Sequence, residues 1–233
     1  MSRSNAPLAL SVVTLTEPGD VEATLRNITA FDDRDFGFNH NQTWAALPKA
    51  LRGVFDPAAV AVSFQKAPLR VQRCIVALCE LGVLDPRDTK SFSDFPEAGL
   101  RTVHSIDWDP EVRVRVKASC WYVRGGCPII PVIQPRKLAL DPERLAVYLR
   151  LVRQAYCQGD WVDAMEELID LSGDGDSVTA AVVPSDSLPR VSDATIVRYV
   201  QTFVRAKKLA DKVRSEREKA APAVPMRELL EID

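Results

Sequence analysis

Val112, Val114 and Val116 alternate with Arg113, Arg115 and Lys117. A period of two places valines on one face of a strand and cations on the other. Residues 127–133 are almost continuously apolar, the pattern of a strand covered on both sides. Gly125 and Gly126 lie between these runs and can take the positive φ angles of a two-residue hairpin turn. A central hairpin is therefore expected over residues 111–137, with Trp121 opposite Ile130 and Cys120 opposite Pro131. Pro128 and Pro131 donate no ladder hydrogen bond, which predicts an edge position or a bulge for the return strand.

Helical spacing dominates elsewhere. Trp44, Leu47, Leu51 and Val54 recur at three- and four-residue steps, and Pro48 should start or kink their helix. Asp56-Pro57 and Asp141-Pro142 are start signals, because Asp accepts orphan N–H bonds and Pro tolerates the first turn. Pro68 opens a helix that carries Val71, Cys74, Leu78 and Leu81 on one side, with Gly82 ending it. Leu145, Leu149, Val152 and Tyr156 line the helix after Asp141. Gly159-Asp160 breaks that run, and Trp161, Met165, Leu168 and Ile169 predict a second short helix, the two forming an αα-hairpin on the sheet. Residues 7–16 read as an early strand, 21–30 as a short helix or irregular edge and 178–183 as a further strand. A long helix is expected over 193–219, with Ile196, Val200 and Phe203 on its inner face.

The expected fold is α+β: a central antiparallel hairpin or small sheet packed against several helices, with a long C-terminal helix. The organisation read from composition is a mainly helical mixed region over 1–85 and a loop or linker over 86–100. An α+β region follows over 101–220, then a flexible docking tail over 221–233, broken by Pro222 and Pro225.

The chain has 233 residues, 46% hydrophobic and 27% charged, enough for a substantial core. A formal net charge of -2 excludes a uniformly basic nucleic-acid coat but leaves local basic faces open. No apolar run is long enough to span a bilayer, so no membrane association is expected. The five cysteines are dispersed and odd in number, which fits reduced thiols and a cytoplasmic location. With two histidines and no CxxC, the chain has no zinc-ligand spacing; neither a metal nor a cofactor is expected.

Asp107, Asp109 and Glu111 cluster before the first hairpin strand, and Gln134 and Lys137 follow the second. Acids can hold a hard cation while a lysine positions water. Across residues 107–137 this arrangement resembles the PD-(D/E)XK nucleases, which use acids and an (E/Q)xK element on adjacent strands. The resemblance implies metal-dependent DNA cleavage. In Gln134-Pro135-Arg136 an arginine stands at the lysine position of that element, with Lys137 one place later. Two other sets are candidates: Cys120 and Cys127 for thiol chemistry, and Asp32, Asp33, Asp35 and His40 for a cation. Buried small side chains account better for the first, and a hydrated loop explains the second equally well.

Residues 58–84 can be drawn as two helices around a turn, like a helix-turn-helix, with Arg70 and Arg73 exposed on the second. Arg113, Arg115, Lys117 and Arg124 add a charged hairpin face, and Arg205, Lys207, Lys208, Lys212 and Arg214 a basic stretch of the last long helix. These are the candidate nucleic-acid contacts. Met226, Leu229, Leu230 and Ile232 are the candidate protein-docking residues of the tail. The leading functional expectation is a non-catalytic cytoplasmic accessory or protein-interaction protein, its partner another protein or a second copy. The alternatives are a nucleic-acid-binding module and a divergent metal-dependent nuclease.

Overall fold

A computed structural model describes residues 7–32, 40–84, 88–109, 112–173 and 178–220. The fold is α+β. Helices α1 (Ala9–Leu15), α2 (Val21–Asp32), α3 (Asn41–Leu51), α4 (Val60–Ser63) and α5 (Leu69–Leu84) precede the strands. Then come β1 (Lys90–Ser91), β2 (Val103–Asp109), β3 (Val112–Lys117), β4 (Cys120–Arg124) and β5 (Cys127–Gln134). Helix α6 (Pro142–Tyr156), β6 (Met165–Asp170), β7 (Ala181–Val183) and α7 (Asp193–Ala220) complete the order. Among the described residues, no helix is long and apolar enough to cross a membrane.

The main sheet has the order β1-β4-β5-β6-β7, and β2 pairs with β3 in a separate ribbon. Arg124 opposes Cys127 and Tyr122 opposes Ile129, the register expected from the glycine turn, in which Gly125 and Gly126 have φ of 59° and 80°. The hairpin is shorter than expected, however. Val112–Lys117 does not belong to it; that run pairs with Val103–Asp109 instead. Nor is β5 at an edge. It lies between β4 and β6, and its ladder with β4 ends at Tyr122↔Ile129, short of Pro131.

The predicted αα-hairpin is overturned after its first helix. Met165–Asp170 is a strand, parallel to β5, with Ile129 beside Met165 and Gln134 beside Asp170. Parallel neighbours need a crossover connection, and α6 supplies it. Glu167, Leu168 and Ile169 are all buried, so β6 lacks the period-two signature of a half-exposed strand. The early strand also becomes a helix. Ala9, Val12 and Val13 of α1 are buried, and α1 packs on α6, α7 and β3. Burial of this one face outweighs the weak extended preference of its valines.

The cap expectations hold. Asp141 Oδ1 accepts the Arg144 N–H at 2.9 Å, and Asp56 Oδ1 accepts the Ala58 N–H at 3.0 Å. Pro48 lies inside α3 rather than at its start. A proline cannot donate to the carbonyl four residues back, here that of Trp44. The Ser119 hydroxyl donates to that carbonyl at 3.1 Å, so the acceptor is satisfied from another element. Trp44, Leu47 and Leu51 are buried as expected, whereas Val54 is exposed. Helix α5 runs through Gly82 instead of ending there. One buried apolar cluster extends from Ala9 to Ala210 and includes Phe92 and Leu100.

Candidate anion site at the ends of the parallel strands

Strands β5 and β6 end side by side at Gln134 and Asp170. The carboxyl ends of parallel strands are a common place for ligands in open sheets. Three segments meet there: the first turn of α5, the start of α3 and the residues after β5.

Arg70 is partly buried. Its Nη2 donates to the Leu171 carbonyl and to that of Arg136 at 3.3 Å, and its Nη1 to that of Gly173 at 3.4 Å. Its Nε is buried without a hydrogen-bond partner among the described residues. The guanidinium thus gathers the carbonyls of both strand ends. Arg136 lies two residues past Gln134, with its Nη2 donating to the Ser11 hydroxyl at 3.1 Å. Its guanidinium sits 5.5 Å from the centre of the Phe31 ring, an attractive cation–π geometry. Neither arginine is bonded to a carboxylate among the described residues.

His40 is the N-cap residue of α3, and its side chain makes no capping bond. Its Nδ1 and the Thr43 Oγ1 three residues on are buried and unpartnered among the described residues. Burial, with Arg136 and Arg70 nearby, lowers the His40 pKa to about 4. The positive end of the α3 dipole adds to the same field. Lys117 reaches the first turn of α3 as well, donating to Asn41 Oδ1 at 2.8 Å and lying over the Trp44 ring.

A pH signature follows from His40. Its pKa is about 4 in the folded protein against an ordinary 6.5. Between these values the unfolded chain binds a proton that the native imidazole refuses, so stability falls as pH falls through this window. It levels off, for this group, below about 4. The wild-type urea midpoint should fall relative to that of His40→Gln as pH falls across that range. Parallel pH profiles for the two proteins would refute a neutral, desolvated imidazole.

The other expected contacts are dispersed. Arg113 pairs with Asp107 at 2.6 Å on the exposed ribbon, and Arg124 with buried Glu167 at 2.7 Å. The Tyr122 hydroxyl donates to the same Glu167 carboxylate. Asp32 takes both Lys207, at 3.4 Å, and Arg214. Lys212 lies 3.9 Å from Glu216. Arg205 is exposed on α7, while Arg73, Arg115 and Lys208 each interact with the rest of the chain. Arg70 is not presented as a helix-turn-helix side chain would be; its guanidinium is turned onto the strand ends.

Of the acidic set, Asp107 is exposed on the ribbon, while Gln134 is fully buried at the end of β5. The Gln134 amide accepts from the Arg136 N–H at 2.6 Å and donates to the Leu138 carbonyl at 2.9 Å, so both its ends shape the turn that presents Arg136. Lys137 is exposed beside it and interacts elsewhere in the chain. Glu111 and the Asp109 side chain lie outside the described residues, as do Asp33, Asp35, Met226, Leu229, Leu230 and Ile232. Among the described residues, no group of three or more His, Cys, Asp or Glu side chains is placed to hold a metal ion. Cys120 is buried, and the Cys127 thiol donates to the Asp163 carbonyl at 3.2 Å. A groove of about 730 Å³ between α6, β6 and residues 185–191 carries paired charges, Arg153 with Glu166 at 3.2 Å and Arg150 with Asp193 at 3.4 Å.

No family model and no curated protein matches the chain. A solved structure, the crystal structure of SSO0001, is similar at 15% identity over 80% of this chain and 86% of its own, with a TM-score of 0.35. So low a score leaves the strand-end geometry as the basis for any functional reading.

Arg136 was visible in the sequence only as an irregularity after an apolar strand, and His40 only as a member of an acidic loop. Their shared location depends on residues 96 apart in the chain meeting, which no local pattern encodes.

Proposed function

We propose that the protein is a non-catalytic accessory protein that binds a phosphate-bearing ligand at its strand ends, nucleic acid being the polymer that fits. The observation that carries this reading is the proximity of Arg70 and Arg136 to His40, with His40 Nδ1, Thr43 Oγ1 and Arg70 Nε buried and unpartnered and no carboxylate bonded to either arginine among the described residues. Buried charge without an opposite partner is costly, and an incoming anion would relieve it. Arginine suits a phosphate because its planar fork can donate two parallel bonds.

The internal ion pairs narrow the contact. Asp32 holds Lys207 and Arg214, and Asp107 holds Arg113, so these cations are already partly neutralised at home. A strand lying across the α7 face would have to compete for them. The reading therefore favours a few phosphates at one site over a long basic track.

Titration with orthophosphate, a short single strand and a duplex, each at several ionic strengths, tests this. Arg136→Gln should weaken binding about ten- to hundredfold, the value of a charge-assisted hydrogen bond to an ion. It should also lower the salt slope by roughly one counterion for a nucleic-acid probe. Bound phosphate should raise the His40 pKa, read from its imidazole proton shifts. Equal affinities for wild type and Arg136→Gln would reject the site. Binding of protein partners without any anion binding would instead support an accessory role that does not use the strand ends.

A further inference from the structure

Helix α7 is 28 residues long, and its inner stripe outruns its cover. Ile196, Tyr199, Phe203, Ala206 and Ala210 are buried, each following at three or four residues. The next member of the stripe, Val213, is 39% exposed, and its neighbour Leu209 is 45% exposed. Between this part of α7 and the outer side of α2 lies a groove of about 420 Å³, lined by Leu25, Arg26, Thr29, Ala30, Val213 and Arg217. Its floor is apolar and its rim carries two arginines. Neither Arg26 nor Arg217 is in an ion pair among the described residues.

We propose that residues 226–233 of the same chain dock in this groove. The segment lies outside the described residues, but its reach and chemistry fit. Seven residues of helix separate Val213 from Ala220, about 10 Å along the axis. Residues 221–225, with Pro222 and Pro225, can extend about 16 Å, enough to reverse direction and bring Met226 level with the groove. Met226, Leu229 and Leu230 stand at helical spacing and form one apolar face when the segment is helical. Glu228, Glu231 and Asp233 against Arg227 leave this segment net acidic, complementary to Arg26 and Arg217. Docking completes the α7 stripe with three apolar side chains and covers Val213. It also withholds this face from other partners. The inference is independent of the anion site, because none of Arg70, Arg136 and His40 lines this groove.

Tryptic cleavage after Arg227 reports docking in the full-length protein. Cleavage should be roughly tenfold or more slower in wild type than in full-length Leu229→Ser/Leu230→Ser, the change expected from losing buried leucine surface. Val213→Asp, at an exposed helix position, should speed cleavage similarly from the other side of the contact. A cooperative urea transition of unchanged slope in both variants, with its midpoint lowered no further than the loss of docking requires, would show that the fold persists. Hydrogen exchange at residues 25–30 and 209–217 should be slower in wild type and independent of protein concentration. Protection that grows with concentration, together with dimers in sedimentation, would assign the groove to a second copy and overturn docking within one chain. Equal cleavage rates in all three proteins would overturn it as well.

Discussion

Gly82→Ala destabilises the protein by about 3 kcal/mol or more, at the upper end of the range for overpacked cores. Gly82 sits inside α5 where it crosses α3. A Cβ there would lie 2.3 Å from the Ala50 carbonyl oxygen and 3.1 Å from the Leu51 Cα. Both obstacles are backbone, so no side chain can swing aside. The helices must separate, and the packing of Leu47, Leu51, Cys74 and Leu78 loosens with them. In an open helix the same change would gain stability, because alanine is the better helix former by about 1 kcal/mol. The sign of the shift in a urea midpoint therefore tests the close approach directly. A neutral or stabilising result would mean that α3 and α5 do not meet at Gly82.

Tyr156→Ala costs about 3–5 kcal/mol, the loss expected for an emptied aromatic site in a core. Tyr156 closes α6 and ties it to the β2–β3 ribbon. Its hydroxyl oxygen accepts the Ala118 N–H at 3.0 Å. Its proton faces the carbonyls of Thr102 and Val116, both at 3.1 Å. Phe92 packs at 5.8 Å between centroids and His104 meets the ring edge-on at 4.7 Å. Burial pushes the phenol pKa upward, so the neutral hydroxyl persists throughout the ordinary pH range. The Ala118 N–H also has the Thr102 carbonyl at 3.1 Å, so Tyr156→Phe orphans no donor and should cost only about 1 kcal/mol. Thermal or urea unfolding of the two variants separates ring packing from hydrogen bonding. Faster amide exchange confined to β2 and β3 would mark the ribbon as the element released. Equal losses in both variants would refute the packing account.

Several features of this fold follow from adjacent residues alone. Asp56-Pro57 and Asp141-Pro142 begin helical turns because their carboxylates reach N–H groups two or three residues on. Gly125-Gly126 makes the β4–β5 turn because it must accept positive φ at both positions. The α7 stripe needed only its 3.6-residue period to be read. Each of these causes acts within one turn or one loop, so the α+β class and the long last helix were legible in the chain.

Tertiary structure decided the rest. Residues 165–170 have apolar spacing that suits a helix, yet they form a strand because β5 offers an open edge and both faces are then covered. Residues 112–117 alternate as a strand in either arrangement, and only the presence of 103–109 selects the ribbon over the long hairpin. Charge behaves in the same way. The cations of α7 read as a free basic face until Asp32 is found against Lys207 and Arg214. Arg70, Arg136 and His40 are unremarkable apart and meet only where the parallel strands end. Local periodicity specifies which face of an element is apolar. It does not specify what that face meets, because pairing and charge neutralisation are interactions between segments far apart in the chain.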